Sequence, residues 1–258
     1  MSMTMHEFGR EHGRTIVMLH PLGVWWDVFE YVIPILERDY HLVIPAMPGH
    51  DPDQPDGDYT SVEDIAAETA AWLKERGLDR VTCLYGCSMG GGVVARMLAD
   101  REILPNCAVI DAGMTPYRLP KLFTYCIGIR DWCMAEIGKH ASLHALQGVF
   151  DPKKYSREDL LYVKKVLSSM SSKTIWRGFY SANNYAMPNP VPQPDCPVEY
   201  WYGEREKRAR RWDIAYIQRT LPAVKLVENA GQDHAEFFTL HPKAFCAQLD
   251  RVIRAASE

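Results

Sequence analysis

The sequence predicts an α/β fold with a doubly wound, mostly parallel sheet, on three observations. Short apolar runs alternate with amphipathic stretches, most of the runs are apolar throughout, and the strand pattern resumes after the one region, residues 114–194, that interrupts it. A strand with one wet face alternates polar and apolar residues, whereas a strand covered on both faces is apolar from end to end. The runs are Thr15 to His20 (TIVMLH), His41 to Ala46 (HLVIPA), Arg80 to Gly86 (RVTCLYG), Cys107 to Gly113 (CAVIDAG), Pro197 to Gly203 (PVEYWYG) and Val224 to Ala230 (VKLVENA).

Helical stretches fill the intervals. SVEDIAAETAAWLKERG opens on Ser61 with Asp64 three residues on, a variant of the capping box, and stops at Gly77. MGGGVVARMLADR follows Ser88, and HPKAFCAQLDRVIRAAS carries Pro242 near its first turn. Residues 114–194 break the rhythm with aromatic and helical text, including SREDLLYVKKVLSSM, for which Ser156 is the expected N-cap. The segment ends in MPNPVPQPDCP, where closely spaced prolines oppose any regular element. The strand pattern resumes directly afterwards. The expected organisation is therefore one core, residues 1–113 and 195–258, with a helical insertion over 114–194.

Composition narrows the function. With 258 residues, 47% hydrophobic and 24% charged, the chain has the make-up of an ordinary globular domain rather than a disordered or fibrous one. Its net charge of -4 argues against nucleic acid as the partner. The one basic cluster, Arg205 to Arg211, is broken by Glu206 and Ala209 and is expected to be a solvated helix face. No run approaches the roughly twenty apolar residues of a membrane span, and the early apolar run is too short for a signal-peptide core, so a cytoplasmic location is expected. Seven cysteines without a C-x-x-C pair suggest reduced, buried thiols rather than a disulfide framework or a zinc site.

The chemistry concentrates at LYGCSMGGG, Leu84 to Gly92, which reads strand, G-x-S-x-G, helix, with Gly86, Ser88 and Gly90 at the fixed positions. A serine on so tight a turn is strained, needs small neighbours, and presents its hydroxyl near the positive end of a helix. Phosphate-loop readings fail, because no lysine follows the glycines and no G-x-G-x-x-G follows the first run. A serine hydroxyl needs a base and an acid to orient it. The loop GQDHAEFF supplies His234, and the loop YGEREK supplies carboxylates, in the chain order serine, acid, histidine.

The chain thereby resembles the α/β-hydrolase fold family over nearly its whole length, in HPLG (His20 to Gly23), MPGH (Met47 to His50), GCSMGG, WYGERE and GQDH. The resemblance implies a serine esterase or lipase-like member with a helical cap between the sixth- and seventh-strand positions of that fold. It implies Ser88 as nucleophile, His234 as base, and an oxyanion hole made by the backbone N–H groups of Met89 and Leu22. Pro21 has no N–H, which leaves Leu22 or Gly23 as the second donor. Glu206 is the expected acid, and Glu204, Asp213 and Asp111 are its rivals. His20, Trp25, Trp26 and Tyr185 are candidates for the substrate pocket, and the aromatic and methionine residues of the insertion, Phe123, Tyr125, Trp132, Phe179, Tyr180 and Met187, either line it as a cap or serve the insertion's own packing. Cys87 is expected to pack as a small apolar residue. The implied activity is carboxylesterase action on a small to medium apolar ester, with no metal or organic cofactor. Thioesterase, lactonase, carbon–carbon hydrolase and acyltransferase chemistry share the same triad, and a ligand-binding protein with little turnover is the alternative of another class. Oligomeric state is open.

Overall fold

The computed structural model describes residues 3–54, 56–116, 119–148 and 153–257. In chain order the elements are β1 (Thr4–Phe8), β2 (Thr15–Leu19), a 3₁₀ turn (Trp26–Phe29), α1 (Ile33–Leu36), β3 (His41–Ala46), α2 (Val62–Glu75), β4 (Arg80–Cys87), α3 (Met89–Asp100) and β5 (Leu104–Asp111). There follow α4 (Lys121–His140), α5 (Leu143–Gln147), α6 (Arg157–Ser169), α7 (Ser172–Ala182), β6 (Val198–Gly203), α8 (Arg211–Thr220), β7 (Lys225–Asn229), α9 (Glu236–Leu240) and α10 (Pro242–Ala255). The strands form one sheet in the order β1-β3-β2-β4-β5-β6-β7. Every neighbouring pair is parallel except β1 with β3.

β2, β3 and, beyond Arg80, β4 are buried because helices cover both faces. Side chains alternate between two cores, as the pleat requires. Val17, Leu19, Leu84, Ala108 and Ile110 point to one side, where α2 and α3 bring Val62, Ile65, Leu73, Val93 and Val94. Ile16, Met18, Cys83, Tyr85 and Val109 point to the other, against Phe29, Ile33 and Leu36 and the α10 residues Phe245, Leu249 and Ile253. The helix signals hold: Ser61 Oγ accepts from Asp64 N–H at 3.0 Å, Ser156 and Asp159 form a complete capping box, and Pro242 sits in the first turn of α10.

Two features depart from the sequence expectation. β1, TMHEF, was hidden because an edge strand with one half-wet side has no apolar run to show. The basic cluster is not a helix face: residues 204–210 are turns, α8 starts at Arg211, and Arg210 points inward, its guanidinium 3.3 Å from Asp213. All seven cysteines are free. Among the described residues no helix is long and apolar enough to cross a membrane.

The helices α4 to α7 fall between the fifth and sixth strands in chain order. They carry a small cluster of their own, Val166, Met170 and Ile175, which also receives Trp25 from the core.

Candidate active site

The candidate triad residues, Asp111 and the Pro21–Gly23 loop lie where parallel strands end at the carboxyl edge of the sheet, the place where open α/β sheets bind ligands. Ser88 follows β4, Asp111 closes β5, Glu206 follows β6, His234 follows β7, and the Pro21–Gly23 loop follows β2.

Ser88 occupies φ 54°, ψ -114°, a region that costs a non-glycine residue of order 1–3 kcal/mol and persists only where its surroundings enforce it. Here they do. Its N–H donates to the Asp111 carbonyl at 2.8 Å, and its own carbonyl accepts from Gly92 N–H at 3.1 Å and Met114 N–H at 3.0 Å. The elbow also needs its glycines. A Cβ on Gly86 would overlap the Gly90 carbonyl, and a Cβ on Gly90 would overlap the Leu19 carbonyl of β2. Backbone therefore rests on backbone beneath the serine, and α3 points its amino end at the site.

The acid and histidine loops are laced together. Glu204 N–H donates to the Asn229 carbonyl and Arg205 N–H to the Gln232 carbonyl, both at 3.0 Å, while Gly231 N–H donates to Glu204 Oε2 at 2.8 Å. Within this frame Glu206, almost fully buried, accepts from Gly203 N–H at Oε1 (3.0 Å) and meets His234 Nδ1 at Oε2 (2.7 Å). That leaves His234 Nε2 as the nitrogen available to a hydroxyl. The base loop is further held by Glu236, which accepts from Asp233 N–H and from Lys154 of the insertion.

The rival acids are engaged elsewhere. Glu204 holds the histidine loop as just described. Asp213 accepts from Thr115 N–H and Oγ1 at 2.9 and 2.8 Å. Asp111 accepts from the Tyr85 hydroxyl at 2.7 Å, and burial raises its pKa to about 6, the hydroxyl pulling the other way and the Glu206 charge adding to the rise. Burial likewise pushes the Cys87 thiol far above its ordinary range, with the Asp111 and Glu206 charges adding to the effect, so it is an inert small residue.

Ser88 and His234 line one cavity of about 450 Å³. Its walls are Leu22 and Gly23 of the loop after β2, Met114, Arg210, and Asp131, Met134, Ala135, Leu167, Met170, Ile175 and Phe179 from the helical segment between β5 and β6. Apolar side chains dominate, within the size range of small-molecule sites. Leu22 thus lines the same cavity as Ser88, and Met89, the first residue of α3, follows Ser88 directly in the chain. Among the described residues no group of three or more His, Cys, Asp or Glu side chains is arranged to hold a metal ion.

The four pocket candidates do not line this cavity. His20 is fully buried: its Nε2 accepts from Met47 N–H, which puts the proton on Nδ1, and Nδ1–H donates to the Pro21 carbonyl at 2.9 Å. Burial lowers its pKa to about 4, so the ring is a neutral clamp on the loop. Trp25 packs edge-on against Tyr162 behind the wall residues Met170 and Ile175. Trp26 stacks on His6 of β1, and Tyr185 is buried in the core with its hydroxyl donating to the Met114 carbonyl. Phe179 does line the cavity, whereas Phe123 and Tyr125 face solvent. The sequence reading missed Met114, Asp131, Met134, Ala135, Leu167, Met170, Ile175 and Arg210; the helical periods of α4, α6 and α7, combined with a known packing partner, could have pointed to those on the helices, whereas Arg210, in the turn before α8, carried no such signal.

This architecture recurs in known proteins. A dioxygenase of Pseudomonas putida, 1H-3-hydroxy-4-oxoquinoline 2,4-dioxygenase, is 31% identical over 119 residues, 45% of this chain and 44% of that protein, so the match spans less than half of the relative's length. Among solved structures, a Desulfitobacterium hafniense protein described as an alpha/beta hydrolase family member superposes with a TM-score of 0.77 at 19% identity, covering 97% of this chain and all of that one. An esterase from a marine microorganism gives 0.68 at 16% identity, covering 97% and 99%. The alpha/beta hydrolase family itself matches residues 16–248, from β2 through the histidine loop into α10, and the chain belongs to that family.

Proposed function

We propose that this protein is a serine hydrolase that cleaves carboxylic esters through a Ser88–His234–Glu206 triad, with α4 to α7 as a cap over the site. One observation carries the reading: the Glu206 carboxylate meets His234 Nδ1 at 2.7 Å while the same histidine shares a cavity with the strained Ser88. His234 Nε2 takes the hydroxyl proton as Ser88 Oγ bonds to the ester carbonyl carbon. The resulting oxyanion is met by the N–H groups of Met89 and Leu22. The imidazolium then protonates the departing alkoxide as the C–O bond breaks and leaves an acyl-enzyme. Water, deprotonated by His234, attacks the acyl carbon; Oγ leaves with the proton, and the carboxylic acid is released.

The lining favours an acyl or alcohol portion of small to medium size and apolar character. The partial relative's name describes a planar bicyclic substrate. The substrate panel therefore includes aryl and alkyl esters, lactones, thioesters and a 3-hydroxy-4-oxoquinoline, the last followed by oxygen uptake. A fluorophosphonate probe is expected to label the protein once, at Ser88, and Ser88→Ala should abolish both labelling and ester turnover. Labelling that survives this substitution would show that another nucleophile is at work.

A further inference from the structure

Of the basic residues in the run Arg205 to Arg211, Arg205, Lys207, Arg208 and Arg211 are exposed and Arg210 is half-buried. Residues 206–210 close one α-type turn, Arg210 N–H donating to the Glu206 carbonyl at 2.9 Å, and side chains four apart on such a turn share a face. Arg210 therefore follows Glu206 inward and lines the cavity that holds Ser88 and His234. Its Nε lies 3.9 Å from Glu206 Oε2, the same oxygen that meets His234 Nδ1 at 2.7 Å. Its Nη1 lies 3.3 Å from Asp213 Oδ2, and Asp213 is fixed in turn through Oδ1 by the N–H and hydroxyl of Thr115. Arg210 Nε is buried and has no hydrogen-bond partner among the described residues, so toward Glu206 the guanidinium acts as a charge and not as a hydrogen-bonded clamp.

The setting explains why a charge is needed there. Buried carboxylates crowd this region: Asp111 closing β5, Glu206 after β6 and Asp213 on α8. The charges of Asp111 and Glu206 are both felt at the Cys87 thiol ending β4 and at the Tyr200 hydroxyl of β6, and Arg210 is the permanent cation felt at the same two groups. Like charges held together in a buried site favour protonation of one of them, and an adjacent cation opposes it. Burial raises the Asp213 carboxyl above its ordinary range, and Arg210 is the strongest of the groups pulling it back. Glu206 and His234 share one hydrogen bond, so a nearby charge acts on their proton affinity as a pair. An imidazolium–carboxylate pair holds one proton more than the working pair, and a cation beside it weakens that hold. We infer that Arg210 is a positioning residue of the proposed triad: acting through Glu206, it keeps the acid–histidine pair free of the extra proton, and so able to take the Ser88 proton, further into the acid range. The inference rests on the triad reading and adds a residue that acts without touching the reacting atoms.

The test is the pH dependence of labelling by a fluorophosphonate, whose rate falls on the acid side as the pair takes up a proton. The midpoint of that fall, unlike the plateau rate, does not depend on how well the probe fits a cavity whose wall has been altered. Arg210→Met removes the charge and should move the midpoint upward by about one pH unit, the scale set by a unit charge a few ångströms away in a partly wet site. Arg210→Gln, which keeps hydrogen-bond donors without the charge, should behave in the same way. Arg210→Lys restores a cation and should return the midpoint toward the wild-type value. A merely structural arginine would lower the melting temperature when replaced and leave the midpoint in place. A wild-type midpoint in both neutral variants would overturn the inference, as would a lysine variant that shifts as far as they do. Neutral variants that fail to fold would also overturn it, by assigning the guanidinium to the fold. An unchanged midpoint joined to a KM raised only for esters bearing an anionic group would overturn it in favour of substrate binding. Failure of the triad reading shows separately, as labelling that survives Ser88→Ala with Arg210 intact.

Discussion

Replacing Glu206 with glutamine tests the orienting acid with almost no change of shape. In the native site each carboxylate oxygen accepts one donor, Gly203 N–H at 3.0 Å and His234 Nδ1 at 2.7 Å. An amide has one oxygen and one NH₂, so the two demands cannot both be met. With the NH₂ toward His234, Nδ1 must become the acceptor, the proton moves to Nε2, and Nε2 cannot receive the Ser88 proton. With the NH₂ toward Gly203, two buried donors oppose each other, at a cost of about 1–3 kcal/mol. The first arrangement is the wrong-tautomer state, which in other triads lowers turnover about ten-thousand-fold, equivalent to a barrier higher by about 5 kcal/mol. The assay is the rate of covalent labelling by a fluorophosphonate, which reports Ser88 activation whatever the natural substrate. Glu204→Gln, Asp213→Asn and Asp111→Asn are measured alongside and should label within about threefold of wild type, since their hydrogen bonds go to other groups. A Glu206→Gln rate within tenfold of wild type, or a larger loss in any of the three companions, would refute the argument.

Two further outcomes are expected. Asp111 has its folded-state pKa raised from 3.8 to about 6 by burial, so its contribution to stability is fully present below the lower value and is lost as pH rises through the higher one. Denaturant titrations should show wild type losing up to about 3 kcal/mol relative to Asp111→Asn across that window, because the asparagine keeps an acceptor for the Tyr85 hydroxyl without the charge; parallel pH profiles would contradict this. Gly90→Ala should destabilise the fold by several kcal/mol, since its methyl would overlap the Leu19 carbonyl and neither backbone can yield; calorimetry showing a near-native Tm would disprove the close contact.

The sheet, the elbow and the chain order of the site residues were legible because each is a local pattern: apolar runs, glycine spacing, a histidine after the last strand. Glu206 could be singled out only as one of several, because its partnership with His234 depends on how two loops interlock, and Glu204, two residues away, turns out to be the residue that laces them. The pocket was not legible. His20, Trp25 and Trp26 lie in or next to the loop after β2, yet none lines the cavity, while Leu167 and Met170 reach it from α6 and its C-terminal end, some eighty residues beyond Ser88. Side-chain direction on a packed helix is a tertiary property, and only the partner surface selects it. β1 escaped for the opposite reason: its strand identity is conferred by pairing with β3 and not by its own residues.

The glycine contacts beneath Ser88 divide the molecule into parts that can change at different rates. Because Gly86, Gly90 and the Leu19 carbonyl meet without intervening side chains, the height and tilt of Ser88 are set by main-chain thickness. The walls of the cavity, by contrast, are largely interchangeable side chains on α4, α6, α7 and the loops beside them. A lineage, or an engineer, can therefore rewrite the roof for a new substrate while the floor stays in calibration.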